Sequence, residues 1–403
     1  MTVYIVLMLL ALAGYAFSAN ASEINRKRYL CLVFSAIVIV AMLRSDQIGI
    51  DLSHYYNKYY PLFKNVSWDK LQSVTISGDW ELGFCAFCKI IGQISTSTQC
   101  FVIFTSLFSI IPYAHFIYRN SDDVVFSTVF FLGYHIFMMS MNVIRQAMAV
   151  GVILLGLEAL KRKQYVKFAI YVVIATFFHT SAIIALLFIL CDILTFKKNT
   201  VYILTIVTVG FSLVYRFLFE KIISISSLSN LYGLYSASGA GDSGGYITFH
   251  TLGMFAIAAI IFVYCSAVYN CDVISCRPYR CGKYGRTTFS IKGGVIKMHR
   301  VTPDTTVYWS ESMLMYSVYL AVLFRFSAFI INVTARFSLY FIPFLMIAFP
   351  HALNKVQNQN NRKLMKIGMI TAIIFFSCIW DLREQEQCGE RFRIDFFGVK
   401  FNE

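Results

Sequence analysis

Charged residues are scarce in this 403-residue chain, in which Asp, Glu, Lys and Arg together make up only 14%. Hydrophobic residues account for 58%, and the mean hydropathy is +0.64. A chain of this length has room for about two or three soluble domains, but so few charges could not cover their surfaces. The composition therefore excludes a soluble protein and predicts an integral membrane protein with one transmembrane domain, residues 1–403.

The sequence also lacks the motifs of nucleotide, metal and lipase chemistry. It has no Walker-type glycine-rich loop, no dinucleotide fingerprint, no zincin or lipase signature, and no Asp-x-Asp metal motif in the loops predicted to lie outside. Its 11 cysteines are scattered, and Cys271, Cys276 and Cys281 are five residues apart, wider than the pairs that zinc prefers. We expect no metal and no cofactor.

Positive charge is missing ahead of the first apolar run, residues 3–19, where a signal peptide would carry it. Arg26, Lys27 and Arg28 follow the run instead. Because cytoplasmic loops hold Lys and Arg, this pattern predicts a membrane span whose N-terminal end lies outside the cytoplasm.

Apolar runs continue almost to the C-terminus and predict an all-α polytopic protein, since a helix needs about 20 apolar residues to cross a bilayer. We predict about twelve transmembrane helices, some of them short or tilted, at residues 3–19, 29–43, 100–117, 124–140, 143–160, 165–178, 181–196, 201–219, 250–269, 309–331, 337–350 and 366–380. One further run, 82–94, is about 13 residues long and contains Lys89, so it is interpreted as a re-entrant or surface helix.

The distribution of positive charge decides whether that helix crosses. If it does not cross, 21 of the 35 Lys and Arg residues lie in or beside cytoplasmic loops; if it does, most of them move outside. We therefore predict that both termini are extracytoplasmic, as are residues 44–99 with the non-crossing helix and 220–249, a flexible lid or tether. Residues 270–308 form a basic cytoplasmic loop. The net charge of +14 is attributed to this topology and not to nucleic acid.

Ionisable side chains at the ends of the predicted spans collect on the predicted outer side. Charged groups are costly in a membrane and either pair with one another or serve a site. The set consists of Arg44, Asp51, Glu81, Arg145, His179 and Arg336, with Gln146 beside Arg145. Plainer interpretations exist: Arg44 extending to the interface, Asp51 solvated in a loop, and His179 as a hydrogen-bonded structural imidazole. Arg325, deeper in a span, is expected to pair structurally with a carboxylate such as Glu81.

Together these residues favour an anionic phosphate substrate with a lipid tail. Arginine binds phosphate with a planar fork of donors, and the arginines of the set are predicted to face the outer leaflet. Because no nucleotide-binding motif is present, the simplest energy source outside the cytoplasm is an activated lipid.

Five short stretches resemble, in order, motifs of the EpsG family of exopolysaccharide proteins and, more broadly, of the Wzy-type O-antigen and capsule polymerases. They are LRSDQIGID at 43–51 with Tyr55 or Tyr56 after it, ELGF at 81–84, NVIRQ at 142–146, FHTS at 178–181 and RFSLYF at 336–341. The set spans most of the chain. Two features depart from the family pattern: Ile50 stands where the family favours Thr, and the insertion at 270–308 is foreign to it.

This resemblance implies a metal-independent membrane glycosyltransferase with a GT-C-like architecture. It would join oligosaccharide repeat units carried on undecaprenyl pyrophosphate into O-antigen, capsule or exopolysaccharide, at the outer face of the bacterial cytoplasmic membrane. The partners it implies are these lipid-linked oligosaccharides and membrane lipid, together with a chain-length regulator and a flippase.

Arginines would neutralise the pyrophosphate leaving group as a divalent metal does elsewhere, and the acceptor hydroxyl needs a base within hydrogen-bond reach. The predicted residues are Arg145, Arg336 and Arg44 for the pyrophosphate; His179, then Asp51 or Glu81, for the base; and Tyr55, Tyr56 and Gln146 for sugar. The two tyrosines are alternatively anchors at the membrane interface.

A flippase for the same lipid and a membrane acyltransferase are the alternative functions. A flippase needs polar residues along a cavity reached from both sides, whereas the predicted set gathers on one side. An acyltransferase usually takes its donor from the cytosol, which His179 does not face in the predicted topology.

Overall fold

The computed structural model describes residues 2–44, 52, 60–71, 81–95, 97–223, 249–269, 287–292, 295–300, 309–330, 332–388, 394–396 and 399–401. Sixteen α-helices lie in this described part: α1 (Thr2–Ala16), α2 (Glu23–Met42), α3 (Tyr60–Asn65), α4 (Leu82–Ile94), α5 (Thr98–Asn120), α6 (Val124–Gly133), α7 (Ile136–Asn142), α8 (Ile144–Lys161), α9 (Tyr165–Thr176), α10 (Leu187–Ile193), α11 (Lys198–Ile223), α12 (Phe249–Val268), α13 (Glu311–Ser327), α14 (Ser338–Phe341), α15 (Pro343–Asn354) and α16 (Gln359–Cys388).

Short elements complete the described fold. The 3₁₀ helices are Trp68–Lys70, Thr180–Leu186 and Asn332–Phe337. Two antiparallel hairpins pair β1 (Thr287–Lys292) with β2 (Val295–Arg300) and β3 (Ile394–Phe396) with β4 (Val399–Phe401). The fold is helical apart from these hairpins, in agreement with the all-α prediction. The β1–β2 hairpin lies inside the predicted basic loop 270–308, where hydropathy gives no sign of strands.

Two helical segments in the described part are long and apolar enough to cross a membrane, Gln99–Asn120 and Phe249–Val268. Two bent pairs raise the number to four: Val124–Gly133 with Ile136–Asn142 at 52°, and Thr334–Phe341 with Pro343–Asn354 at 47°. The remaining apolar helices of the predicted set are shorter than a full crossing or carry more charge, so the structure gives two to four candidate spans.

Both bends have a local cause in the backbone. His135 lies between α6 and α7 with a φ of 57°, a left-handed conformation that ends one helix before the next begins. Pro343 opens α15, and because proline has no N–H to donate, the hydrogen-bond ladder from α14 is interrupted there. Spans predicted as continuous at 124–140 and 337–350 are therefore broken.

Helix α8 lies at the centre of the fold and packs against α5 and α9. Thirteen of its 18 residues are buried, as expected of a helix that is surrounded by other helices. Arg145 lies at its first turn and Lys161 at its last, about 24 Å apart at 1.5 Å per residue. We call these two ends of the bundle the site end and the Lys161 end.

Helix α4 begins at the site end, because Glu81 precedes it and contacts Arg145. The next helix, α5, also begins near the site end, since Phe101 packs in one apolar cluster with Ile144 of α8. Its far end reaches the Lys161 end, where Lys161 Nζ donates to Asn120 Oδ1 at 3.0 Å. Both flanks of α4 thus lie at the same end of the bundle. This geometry favours a helix that does not cross, and the sidedness of the chain stays a prediction.

At the Lys161 end, ion pairs connect neighbouring elements of the bundle. Arg119 lies 3.6 Å from Glu158, and their side chains keep 45% and 22% of their exposure. Lys163 pairs with the buried carboxylate of Asp192, which also accepts a hydrogen bond from the Tyr165 hydroxyl at 3.0 Å. A cavity of about 710 Å³ opens beside these groups.

Candidate functional site

The site is built around an ion pair between Glu81 and Arg145. Glu81 stands just before α4, and Arg145 is the second residue of α8. Their side chains are 9% and 19% exposed, and Arg145 Nη1 contacts Glu81 Oε2. The other carboxylate oxygen accepts the backbone N–H of Thr180 at 3.2 Å. The expected partnership of Glu81 with Arg325 is wrong, because Arg145 holds this carboxylate.

Gly83 allows these elements to approach so closely. The N–H of Phe84 donates to the carbonyl of Phe177 at 3.2 Å, which ties the first turn of α4 to the end of α9. A Cβ atom on Gly83 would lie 2.7 Å from that same carbonyl oxygen, a distance that real Cβ atoms do not adopt. A residue without a side chain is therefore needed here to keep Glu81 within reach of Arg145.

His179 lies between α9 and the 3₁₀ helix Thr180–Leu186, outside both, and remains partly exposed. Its Nδ1 accepts the backbone N–H of Ser181 at 3.2 Å and lies 2.8 Å from Ser181 Oγ. That hydroxyl lies 2.9 Å from the hydroxyl of Tyr340. Burial lowers the pKa of His179 to about 4; Glu81 opposes the shift, while Arg145 and Arg336 reinforce it. The imidazole is therefore neutral at pH 7.

Gln146 connects the site to the element that carries Arg336. Its Nε2 donates to the backbone carbonyl of Arg336 at 2.8 Å. The Gln146 side chain also interacts with the Tyr340 hydroxyl. Gln146 Oε1 is buried and has no hydrogen-bond partner within the described residues. This oxygen is therefore an acceptor that a hydroxyl of a bound sugar could satisfy.

Arg336 differs from Arg145 in having its side chain exposed at the end of the 3₁₀ helix Asn332–Phe337. No ion pair joins it to a carboxylate in the part of the chain that the structure describes. Because Arg336 influences the His179 imidazole electrostatically, the two lie in the same site. Among the described residues the site thus holds two guanidiniums and one carboxylate, which pairs with Arg145 alone, and this excess of positive charge suits a phosphate ligand.

Arg44 lies apart from this network in the described chain. It is 1% exposed at the end of α2, and its Nη1 donates to the carbonyl of Ala41 at 3.3 Å and to Ser106 Oγ at 3.1 Å. Its guanidinium therefore satisfies a helix carboxyl end, which is the structural alternative to a role in binding. Its predicted help with pyrophosphate stays a prediction.

Three predicted site residues, Asp51, Tyr55 and Tyr56, lie outside the described residues.

Three residues of the observed site were not predicted from the sequence: Gly83, Ser181 and Tyr340. Each belongs to one of the stretches that resemble the family, so their positions were marked although no role was assigned. No group of three or more His, Cys, Asp or Glu side chains suited to a metal ion occurs among the residues that the structure describes.

Comparison with known proteins gives one result that covers most of the chain. The EpsG family matches residues 27–388, which is well over half of the 403 residues and includes every element of the site. No curated protein and no solved structure matches significantly. The family resemblance drawn from the short motifs is confirmed: this chain belongs to the EpsG family.

Proposed function

We propose that this protein joins oligosaccharide repeat units carried on undecaprenyl pyrophosphate into a longer polysaccharide, by a glycosyl transfer that needs no metal. Membership of the EpsG family supports a membrane protein of polysaccharide biosynthesis. The observation that carries the finer proposal is the excess of guanidinium at the site end, where Glu81 pairs with Arg145 and Arg336 forms no ion pair with a carboxylate of the described residues.

The proposed reaction breaks one bond and forms another at the anomeric carbon of the growing chain. The acceptor hydroxyl oxygen attacks this carbon, and the electron pair of the carbon–oxygen bond leaves with undecaprenyl pyrophosphate. Arg145 and Arg336 would stabilise the charge that develops on this leaving group. The proton of the acceptor hydroxyl goes to one of the three predicted bases, which are His179, Glu81 and Asp51.

Sugar recognition would use the free acceptor of Gln146. A buried carbonyl oxygen without a partner costs free energy, which a substrate hydroxyl would recover on binding. Tyr55 and Tyr56 stay in the proposal as residues that stack on sugar rings.

In the proposed architecture the site end faces the outside of the bacterial cytoplasmic membrane. About twelve crossings with a GT-C-like arrangement, the non-crossing α4 and the positive charges of the cytoplasmic loops are parts of this proposal. Lipid-linked repeat units already flipped to the outer leaflet would then reach the site directly. A flippase and a chain-length regulator are the proposed partners, and O-antigen, capsule or exopolysaccharide is the proposed product.

A flippase activity of this chain is the main alternative, because the same lipid-linked oligosaccharide would bind the same arginines. The contacts favour a polymerase, since Glu81, Arg145 and His179 gather at one end of the bundle and do not line a path between its ends. At the Lys161 end, Arg119 and Lys163 are instead engaged in ion pairs with Glu158 and Asp192.

A strain that lacks the gene and carries either the wild-type or the Arg336→Ala protein separates these functions. A polymerase defect leaves single repeat units on the outer face and removes the ladder of longer chains from a polysaccharide gel. A flippase defect leaves the repeat units facing the cytoplasm, which labelling of intact and opened cells would detect. The second result would overturn the proposal.

A further inference from the structure

The backbone N–H of Ser181 determines which nitrogen of His179 carries the proton. An N–H group only donates hydrogen bonds, so the Nδ1 atom that it contacts at 3.2 Å must present its lone pair. A neutral imidazole has one proton, which must then lie on Nε2. The orientation is anchored in the fold, since Ser181 lies in the first turn of the 3₁₀ helix that His179 caps.

Two hydroxyl groups support the same tautomer. With Nδ1 as an acceptor, the Ser181 hydroxyl donates to it over 2.8 Å and accepts from the Tyr340 hydroxyl over 2.9 Å. Protonation of Nδ1 would leave the Ser181 N–H facing another donor. The Nε2 atom makes no hydrogen bond within the described residues, and the ring retains exposure, so its N–H is available to a ligand.

We propose that His179 acts as a neutral hydrogen-bond donor, through Nε2–H, to an unprotonated oxygen of the substrate's pyrophosphate, and that Ser181 and Tyr340 are positioning residues that maintain this tautomer. The proposal rests on the function proposed above and replaces the role of His179 as a base with a role in binding. His179 binds the same anion as Arg145 and Arg336, and the acceptor's proton passes to a carboxylate, either Glu81 or Asp51.

The charges around the His179 imidazole are consistent with a neutral hydrogen-bond donor. Among the described residues, Glu81, Arg145 and Arg336 are the charged groups that act on it, and the two cations outnumber the carboxylate. An imidazole that became positively charged in this setting would be repelled, whereas a neutral N–H adds a third donor without adding charge. Partial burial also strengthens its hydrogen bond to an anion.

Two substitutions at His179 separate a donor from a base. In His179→Gln the amide nitrogen can replace the Nε2 donor but cannot accept a proton, whereas the carboxylate of His179→Glu can accept a proton but repels pyrophosphate. We expect purified full-length His179→Gln to bind undecaprenyl pyrophosphate in detergent within about threefold of wild type, and His179→Glu to bind at least about tenfold more weakly. Thermal unfolding checks that both variants are folded.

Other patterns of binding and activity would overturn the donor role. It fails if wild type does not bind undecaprenyl pyrophosphate, if both variants bind like wild type, or if folded His179→Gln loses binding. It also fails if His179→Glu extends lipid-linked repeat units while His179→Gln does not, which is the result expected of a base.

The positioning role has its own readout in Ser181→Ala, with Ser181→Thr as the matched control. Loss of the hydroxyl should raise KM for the lipid-linked repeat unit about threefold with little change in kcat. Threonine keeps a hydroxyl, so Ser181→Thr should have a KM close to that of wild type. A fall in kcat alone, or the same defect in both variants, would contradict it. If wild type binds the lipid with the donor pattern but joins no units, the polymerase proposal fails and the donor proposal stands.

Discussion

The two ends of α8 use charge in different ways. At the Lys161 end, cations and carboxylates of different elements pair, as in Arg119 of α5 with Glu158 of α8 and Lys163, which follows α8, with Asp192 of α10. At the site end, Arg145 and the Thr180 N–H contact the Glu81 carboxylate, while Arg336 forms no ion pair and a buried amide oxygen of Gln146 has no partner in the described chain. Paired charges of this kind stabilise the fold, whereas the guanidinium of Arg336, exposed beside Glu81 and His179 and without an ion pair to a described carboxylate, is available for a ligand.

The largest contrast is expected between Arg145→Ala and Arg119→Ala. Removal of Arg145 leaves Glu81, 9% exposed, without its cation, which should lower the free energy of unfolding by about 2–4 kcal/mol and abolish polymer. Arg119 belongs to a pair that is largely exposed, so its removal should cost less than about 1 kcal/mol and leave polymer unchanged. Thermal unfolding and a polysaccharide gel measure both effects.

The double variant Glu81→Ala with Arg145→Ala tests whether the loss of polymer is merely a loss of stability. Without the carboxylate, no buried charge is left unpaired, so much of the stability should return. Polymer should stay absent because the pyrophosphate contact is still missing. Recovery of both stability and polymer would show that this pair is structural and would remove the contrast between the two ends.

Arg336→Ala is expected to separate activity from stability. Its side chain is exposed and forms no ion pair with a described carboxylate, so the melting temperature should not change. Loss of a charge-assisted contact to pyrophosphate should lower kcat/KM about 10- to 100-fold. Arg162→Ala, an exposed arginine at the Lys161 end, is the matched control and should behave like wild type. Equal effects of the two substitutions would contradict the account.

Gly83→Ala tests whether the close approach of α4 assembles the site. The added methyl group would meet the Phe177 carbonyl, so α4 must shift, with an expected cost of about 1–3 kcal/mol and an approximately tenfold loss of activity. Gly210→Ala is the control, because nothing lies within 4 Å of its Cβ and helix propensity improves. If Gly83→Ala and Gly210→Ala were equally stable and active, Gly83 would have no role in positioning Glu81.

The last prediction concerns pH, which changes stability through the protonation of His179. The pKa of His179 is lowered from about 6.5 in the unfolded chain to about 4 in the fold, so the unfolded chain binds more protons between these values. The stability that neutral His179 preserves is complete above pH 6.5 and is lost as the pH falls towards 4, by at most about 3 kcal/mol. The difference in melting temperature between wild type and His179→Gln should therefore decrease as the pH is lowered from 6.5 to 4. A constant difference would contradict the buried neutral imidazole.

The sequence predicted which residues belong to the site better than it predicted which of them contact one another. The order of short motifs brought Glu81, Arg145, His179 and Arg336 into one hypothesis, and the structure connects them through Thr180 and Gln146. Pairing of Glu81 with Arg325 was wrong, because hydropathy does not define which face of a helix meets which neighbour. The tautomer of His179 depends on a single backbone N–H, and no composition pattern encodes such a contact.

The same limit applies to the helices. Apolar content predicts where helices form, and each of the twelve predicted spans contains one. It does not predict the left-handed His135, the 3₁₀ helix Thr180–Leu186 or the β1–β2 hairpin, since these depend on local backbone hydrogen bonds that tertiary contacts stabilise. His135 and the 3₁₀ helix Thr180–Leu186 interrupt two of the predicted spans, 124–140 and 181–196, and other apolar helices are too short for a full crossing, so two to four candidate spans stand against twelve predicted crossings.

The central claim is that Arg145 and Arg336 at the site end bind the pyrophosphate of lipid-linked repeat units while these units are joined. The most direct measurement supplies purified full-length protein in detergent with lipid-linked repeat units, and follows chain length together with released undecaprenyl pyrophosphate. The account predicts one lipid pyrophosphate released for each unit joined, with both signals lost in Arg145→Ala and retained in Arg119→Ala. Longer chains formed equally by both variants, or no chain extension by wild type, would contradict it.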